Sequence, residues 1–156
     1  MTIEVVEVVP HLWQGPHPNP EDEEIMRWDL VVGAAEEAMQ PIYKVNWLYL
    51  PLRDSDEEYQ NVRMMMVARR TAAFIADLLE DGADVFVFCG AGLNRSGLIV
   101  ARTLMFRGFS PIESIQEVRR ARGSMALSNG GFVTWLMAEG GMAASDMLLS
   151  EIITQE

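Results

Sequence analysis

The chain has 156 residues, 49% of them apolar, and a formal net charge of −11 from 23 acidic and 12 basic side chains. That length suits one domain, able to bury about 68–70% of its unfolded surface without covalent staples. Cys89 is the sole cysteine, which excludes an intrachain disulfide and a resolving thiol, and the acidic balance, with Lys44 the one lysine, argues against nucleic acid and membranes as partners.

The N-terminal Met-Thr-Ile-Glu-Val-Val-Glu lacks the basic region and apolar core of a secretory leader. No apolar run approaches the roughly 18 residues of a bilayer span, so a cytoplasmic setting is expected. Ile3 to Val9 is β-branched and predicts a strand, with His11 to Gln14 pairing beside it. Gly15 to Pro20, dense in helix breakers, predicts a turn. Glu21 to Trp28 predicts a short helix, Leu30 to Val32 a buried strand ending at Gly33, Ala34 to Met39 another brief helix, and Val45 to Leu50 a strand. Pro51 to Asp56 is a polar loop. The first long helix is expected over Glu57 to Asp81, with Val62, Met66, Val67, Phe74, Ile75 and Leu78 as its apolar positions.

Val85 to Phe88 is an apolar, β-favouring run that delivers Cys89 to the loop Gly90-Ala91-Gly92-Leu93-Asn94. Arg95-Ser96-Gly97 then opens an apolar helix to about Phe106. Strand, thiol, glycine-bearing loop and helix N-terminus together build an oxyanion cradle from backbone N–H groups. Positive potential there favours the thiolate, the reactive form of cysteine. Arg95 adds a planar fork matched to two phosphate oxygens. The pattern points to a cysteine nucleophile aimed at phosphorus. Ser110-Pro111 caps a helix to Arg122, and Ser128 starts another that ends at Gly140-Gly141. Asp146 to Thr154 reads as helical, with Leu148, Leu149, Ile152 and Ile153 on one apolar side, so the tail 142–156 is a candidate for a weak dimer contact on an otherwise monomeric protein. Strands alternating with helices, then a helical second half, predict an α/β fold with a central mixed sheet of about four to five strands.

Cys89 to Ser96 resembles the Cys-x5-Arg-Ser signature of the cysteine-dependent protein tyrosine phosphatase superfamily, and Ala91-Gly92 with Arg95-Ser96-Gly97 looks most like its dual-specificity branch. The likeness extends to Val9-Pro10-His11-Leu12-Trp13-Gln14-Gly15, to Leu48-Tyr49-Leu50-Pro51-Leu52-Arg53-Asp54, and to Ser128-Asn129-Gly130-Gly131-Phe132 with Trp135-Leu136. It spans about residues 8–138, so 1–156 is expected to be a single phosphatase domain. The resemblance implies a phosphomonoester hydrolase, acting on phosphorylated protein or a small phosphomonoester through a phosphocysteine on Cys89. Arg95 and the N–H groups of Gly90, Ala91, Gly92, Leu93, Asn94 and Arg95 would bind the phosphoryl oxygens. Ser96 would donate to the departing thiolate. Asp54, in the loop matching the general-acid loop, would serve as acid and base, with Asp56 two residues on as the alternative. Arg122 and Asn129 fall near supporting positions of the family. Arg53 is expected to pair with Glu57 or Glu58 at the surface, with contact to substrate as the alternative. These donors require no metal or other cofactor, and His11 and His17 lack partners at metal-ligand spacing.

One departure bears on function: Phe88 stands where the family usually has His, and Phe supplies no hydrogen bond to the loop. That leaves a catalytically weak phosphate-binding module as one alternative. Another is an RNA 5′-triphosphatase-like enzyme, since Gly92 to Gly97 also resembles the loop of the cysteine-type triphosphatases of capping systems, against which the charge of −11 argues.

Overall fold

Strand Val85–Cys89 lies at the centre of a five-stranded sheet and fixes where the thiol sits. The computed structural model describes residues 5–141, so the start of the predicted first strand and the tail 142–156 lie outside the described residues. The strands are β1 (Val6–Val9), β2 (Leu12–Pro16), β3 (Leu30–Gly33), β4 (Trp47–Tyr49) and β5 (Val85–Cys89), in spatial order β1-β2-β5-β3-β4. β1 pairs antiparallel with β2, whereas β2–β5, β5–β3 and β3–β4 are parallel. The expected mixed α/β sheet is what is found.

Period-2 alternation on β5 divides its side chains between two cores. Val85 and Val87 join the larger cluster with helices α1 (Val62–Glu80), α2 (Arg95–Phe106), α3 (Pro111–Arg122) and α4 (Gly130–Glu139). Phe86 and Phe88 face the other way, into an aromatic cluster with Ile25, Trp28 and Val31. Trp13, Tyr43 and Trp47 pack against that cluster.

Several predicted elements are corrected. Gly15-Pro16 belongs to β2, pairing with Phe88 and Cys89, because a proline at a strand's end forfeits no interior ladder bond. Glu21 to Trp28 contains a 3₁₀ turn over Glu23–Arg27, capped by the Asp22 side chain. Ala34 to Met39 is not a helix: Ala34 N–H bonds Phe88 O (2.8 Å) and Glu36 N–H bonds Leu52 O (3.1 Å), and Ala38 N–H closes a single turn on Ala35 O (3.1 Å). The first long helix starts at Val62, because Asn61 accepts from Met64 N–H and caps it, while Glu58–Gln60 forms a separate 3₁₀ turn. Its buried face is also rotated from the expected one. Met65, Ala68, Ala72, Ile75 and Leu79 are buried, whereas Val62, Met66, Val67 and Phe74 are exposed. A stripe of small residues on α1, Ala68, Ala72 and Ala76, is buried in place of the bulkier ones because the helix lies close to its neighbours. On α4 the cap is Asn129, whose side chain accepts from Phe132 N–H, and not Ser128.

Candidate active site: an anion cradle around Cys89

β5 carries Cys89 to the carboxyl edge of the sheet, where its side chain is 2% exposed. From there the backbone turns its carbonyls onto the scaffold. Phe88 O accepts from Ala34 N–H (2.8 Å), Gly90 O from His17 N–H (3.1 Å) and Leu93 O from Leu127 N–H (3.2 Å). Arg122, on α3, donates Nε to Gly92 O (2.8 Å) and Nη2 to Ala91 O (3.1 Å). Gln14, on β2, donates Nε2 to Gly92 O (3.1 Å). In the peptides whose carbonyls at Gly90, Ala91, Gly92 and Leu93 are held outward, the trans geometry turns the N–H groups of residues 91–94 to the other side. Among the described residues, the backbone N–H groups of residues 90–95 donate to no protein acceptor. They form a nest of donors at the N-terminus of α2, where the helix dipole adds positive potential.

Gly92 makes the turn possible. It sits at φ +74, and a Cβ there would meet the backbone of Gly15 and Pro16, including Gly15 O at 2.7 Å. No L side chain fits both demands.

Inside the cradle, Cys89 Sγ lies 3.2 Å from the buried Ser96 Oγ. The neutral thiol donates to that oxygen, and as thiolate the sulfur accepts the serine O–H. Arg95, the first residue of α2, has a side chain only 12% exposed. Its Nη1 and Nη2 donate to Glu37 Oε1 and Oε2, each at 2.7 Å, and Nη1 reaches Leu52 O at 3.3 Å. The two-pronged bond to Arg95 holds the Glu37 carboxyl at about 2, against partial burial, and the pair in turn raises the Arg95 pKa. Among the described residues Arg95 Nε is buried without a partner, so it is the donor of the fork left for a phosphate oxygen.

Asp54 is roped to the loop's far edge. Its Oδ1 accepts from Asn129 Nδ2 (2.9 Å) and its Oδ2 from Asn94 Nδ2 (3.1 Å). Asn129 N–H in turn donates to Asn94 Oδ1 (3.0 Å), and Asn129 Nδ2 to Ser55 O (3.0 Å). Close approach of α4 permits this, since a Cβ at Gly131 would strike Asp56 O and the Tyr59 ring. Asp56 is exposed, and its carboxylate makes no hydrogen bond among the described residues. The structure therefore brings Cys89, Arg95, Ser96 and Asp54 together with Arg122 and Asn129. Arg53 pairs with Glu36 (2.9 Å), not Glu57 or Glu58, although its N–H donates to Glu58 Oε2. Phe88 packs behind the loop, its ring 4.7 Å from that of His17. Glu37 and Gln14 are the site residues the sequence reading missed. Both come from chain beside β5: Gln14 lies on β2, and Glu37 in the loop after β3. Among the described residues, no three His, Cys, Asp or Glu side chains gather as metal ligands, and no helix is long and apolar enough to cross a membrane.

A buried thiol faces free N–H groups and an arginine donor, with a tethered carboxylate at the loop's edge, an arrangement suited to a sulfur nucleophile beside a bound oxyanion. The family model for the dual specificity phosphatase catalytic domain matches residues 15–140. Dual specificity protein phosphatase 1 of Arabidopsis thaliana is 30% identical over 115 residues, covering 72% of this chain and 57% of that protein. Human DUSP28 superposes with a TM-score of 0.73 at 25% identity, over 87% of this chain and 95% of that one. A mouse dual specificity phosphatase gives 0.76 at 25% identity, over 90% and 89%. The chain belongs to the dual-specificity phosphatase family, of the cysteine-dependent protein tyrosine phosphatase superfamily.

Proposed function

We propose that this chain hydrolyses phosphotyrosine and phosphoserine or phosphothreonine in protein substrates, through a covalent phosphocysteine on Cys89. The observation that carries the reading is the outward clamping of the loop carbonyls, which leaves the N–H groups of residues 90–95 and Arg95 Nε for a phosphoryl group. In the first step the Cys89 thiolate attacks phosphorus, the bond to the leaving oxygen breaks, and Asp54 passes its proton to that oxygen. In the second, Asp54 takes a proton from water as the water oxygen attacks phosphorus. The S–P bond breaks, phosphate leaves, and Ser96 O–H donates to the returning thiolate. Arg95 and the loop N–H groups hold the equatorial oxygens throughout.

The reading extends to a cytoplasmic setting, which keeps a lone nucleophilic thiol reduced, and to a monomer or weak dimer. The case for a binding-only module rests on Phe88, but Gln14, Arg122 and the His17 N–H support the loop from other directions. A charge of −11 also disfavours RNA 5′ ends.

The test is a time course of phosphate release from aryl phosphate and from phosphopeptides. Cys89→Ser should abolish turnover, and Asp54→Asn should lower it by about 100- to 10,000-fold on phosphopeptides and less on an aryl phosphate with an acidic leaving group. Absence of turnover in the intact chain would overturn the activity. A larger loss in Asp56→Asn than in Asp54→Asn would overturn the acid assignment.

A further inference from the structure

Gln14 is fully buried on β2, where the strand pattern alone calls for an apolar side chain. A buried amide is costly unless its hydrogen bonds are made, and among the described residues Oε1 has no partner. Both contacts of Nε2 converge on the cradle: Gly92 O at 3.1 Å and Ser96 Oγ at 3.1 Å. A carbonyl only accepts, so the amide atom facing Gly92 O is the nitrogen, which fixes the orientation of the side chain.

Two consequences follow for Ser96. Its oxygen accepts from Gln14, so its own proton must point elsewhere. A helical serine commonly returns that proton to the carbonyl four residues back, which here is Gly92 O. That oxygen already accepts from Arg122 Nε (2.8 Å) and from Gln14 Nε2, so both its lone pairs are taken. Among the described residues, the other hydrogen-bond partner of the hydroxyl is Cys89 Sγ at 3.2 Å.

We propose that Gln14 is a positioning residue that aims the Ser96 O–H at the Cys89 sulfur. It thereby stabilises the thiolate both as nucleophile and, on the phosphatase reading above, as leaving group. It acts from the neighbouring strand, while Phe88 turns its ring into the aromatic cluster on the other face of the sheet.

The test is a double-mutant cycle read by alkylation of Cys89 with iodoacetamide across pH, in the intact chain, Gln14→Leu, Ser96→Ala and the double variant. Alkylation needs no turnover, so this result stands apart from whether the chain hydrolyses phosphate. Gln14→Leu should move the alkylation profile to higher pH by about one unit, the scale of one hydrogen bond to an ion. Ser96→Ala should move it about equally, and the double variant no further. In turnover, kcat should fall more than KM changes. Gln14→Met, unbranched and similar in length, repeats the measurement should Gln14→Leu fail to fold. An unmoved profile, or shifts that add in the double variant, would overturn the proposal.

Discussion

Replacing Gly92 by alanine tests the cradle at its tightest point. Two separate costs fall on the new methyl group. At φ +74 an L residue pays about 1–2 kcal/mol for the left-handed conformation. The Cβ would also press on the Gly15–Pro16 backbone, with Pro16 N at 2.6 Å and Gly15 O at 2.7 Å. Those residues are held in register by pairing with Phe88 and Cys89, so β2 cannot move aside alone. Overpacking of this kind costs about 1–3 kcal/mol. The combined loss is about 2–5 kcal/mol, a fall in Tm of about 4–20 °C for a domain of this size. Gly90→Ala is the matched comparison, because its φ is ordinary and its Cβ would meet Arg95 Nη2 and Glu37 Oε2, both at 3.0 Å. Those atoms end side chains that can shift, so stability should change by less than about 1 kcal/mol while turnover falls. Urea denaturation and aryl phosphate turnover on both variants decide the matter. A Gly92→Ala protein within about 0.5 kcal/mol of the intact chain, with turnover retained, would refute the reasoning. Equal stability losses in both variants would refute the role given to the left-handed turn.

Restoring histidine at position 88 should not help: Phe88 is fully buried among Phe86, Trp47 and the His17 ring, so Phe88→His should cost about 1–3 kcal/mol in urea denaturation and leave kcat no higher. Glu139 joins α4 to α1 and α2 through Arg69 (2.6 Å) and Arg102 (3.0 Å). Arg69 above all, with Arg102, holds its carboxyl below the usual range despite burial. A depressed carboxylate contributes stability above its unfolded pKa and loses it as pH falls through the folded one. Glu139→Gln should therefore destabilise by about 2–3 kcal/mol at pH 7, with a shallower loss of stability towards pH 3 than the intact chain; parallel curves would count against it. Glu37, held at about 2, stays ionised throughout any practical assay. With a side chain 54% exposed it contributes about 1 kcal/mol at most, so Glu37→Gln should lower kcat/KM by no more than about fivefold, by the same factor from pH 5 to 8. A pH-dependent ratio would show that another group titrates with it.

What the sequence made legible is what it holds contiguously. The apolar run of β5, the glycine loop and the Arg95-Ser96 helix start are adjacent in the chain, and each constrains the next. Ser110-Pro111 likewise announces α3, where Ser110 and Glu113 close a reciprocal cap. Bulky residues misphased α1 because a helix buries alanines as readily as large side chains where a neighbour lies close, as Ala68 and Ala72 do.

The unread part of the site depends on strand order. β2 and β3 flank β5 although one precedes the other by many residues and both lie far upstream of Cys89. In a parallel sheet the loops leaving the carboxyl ends of adjacent strands converge. That places Glu37, after β3, on Arg95, and His17, after β2, on Gly90 O. Gln14 reaches the same loop from within β2, paired with Val87 two residues before the thiol. The strand register also accounts for the odd residue at 88. Side chains alternate across β5, so Phe88 and Cys89 face opposite sides, and the ring at 88 finds an aromatic core already built by Trp28, Trp47 and Phe86. A hydrophobic choice there is consistent with that face, and the hydrogen bonds it forgoes come from a strand whose side chain points to the thiol's side. Phe88 and Gln14 are thus two halves of one arrangement: the first completes a core, and the second carries the polar support to the face where Cys89 and Ser96 lie.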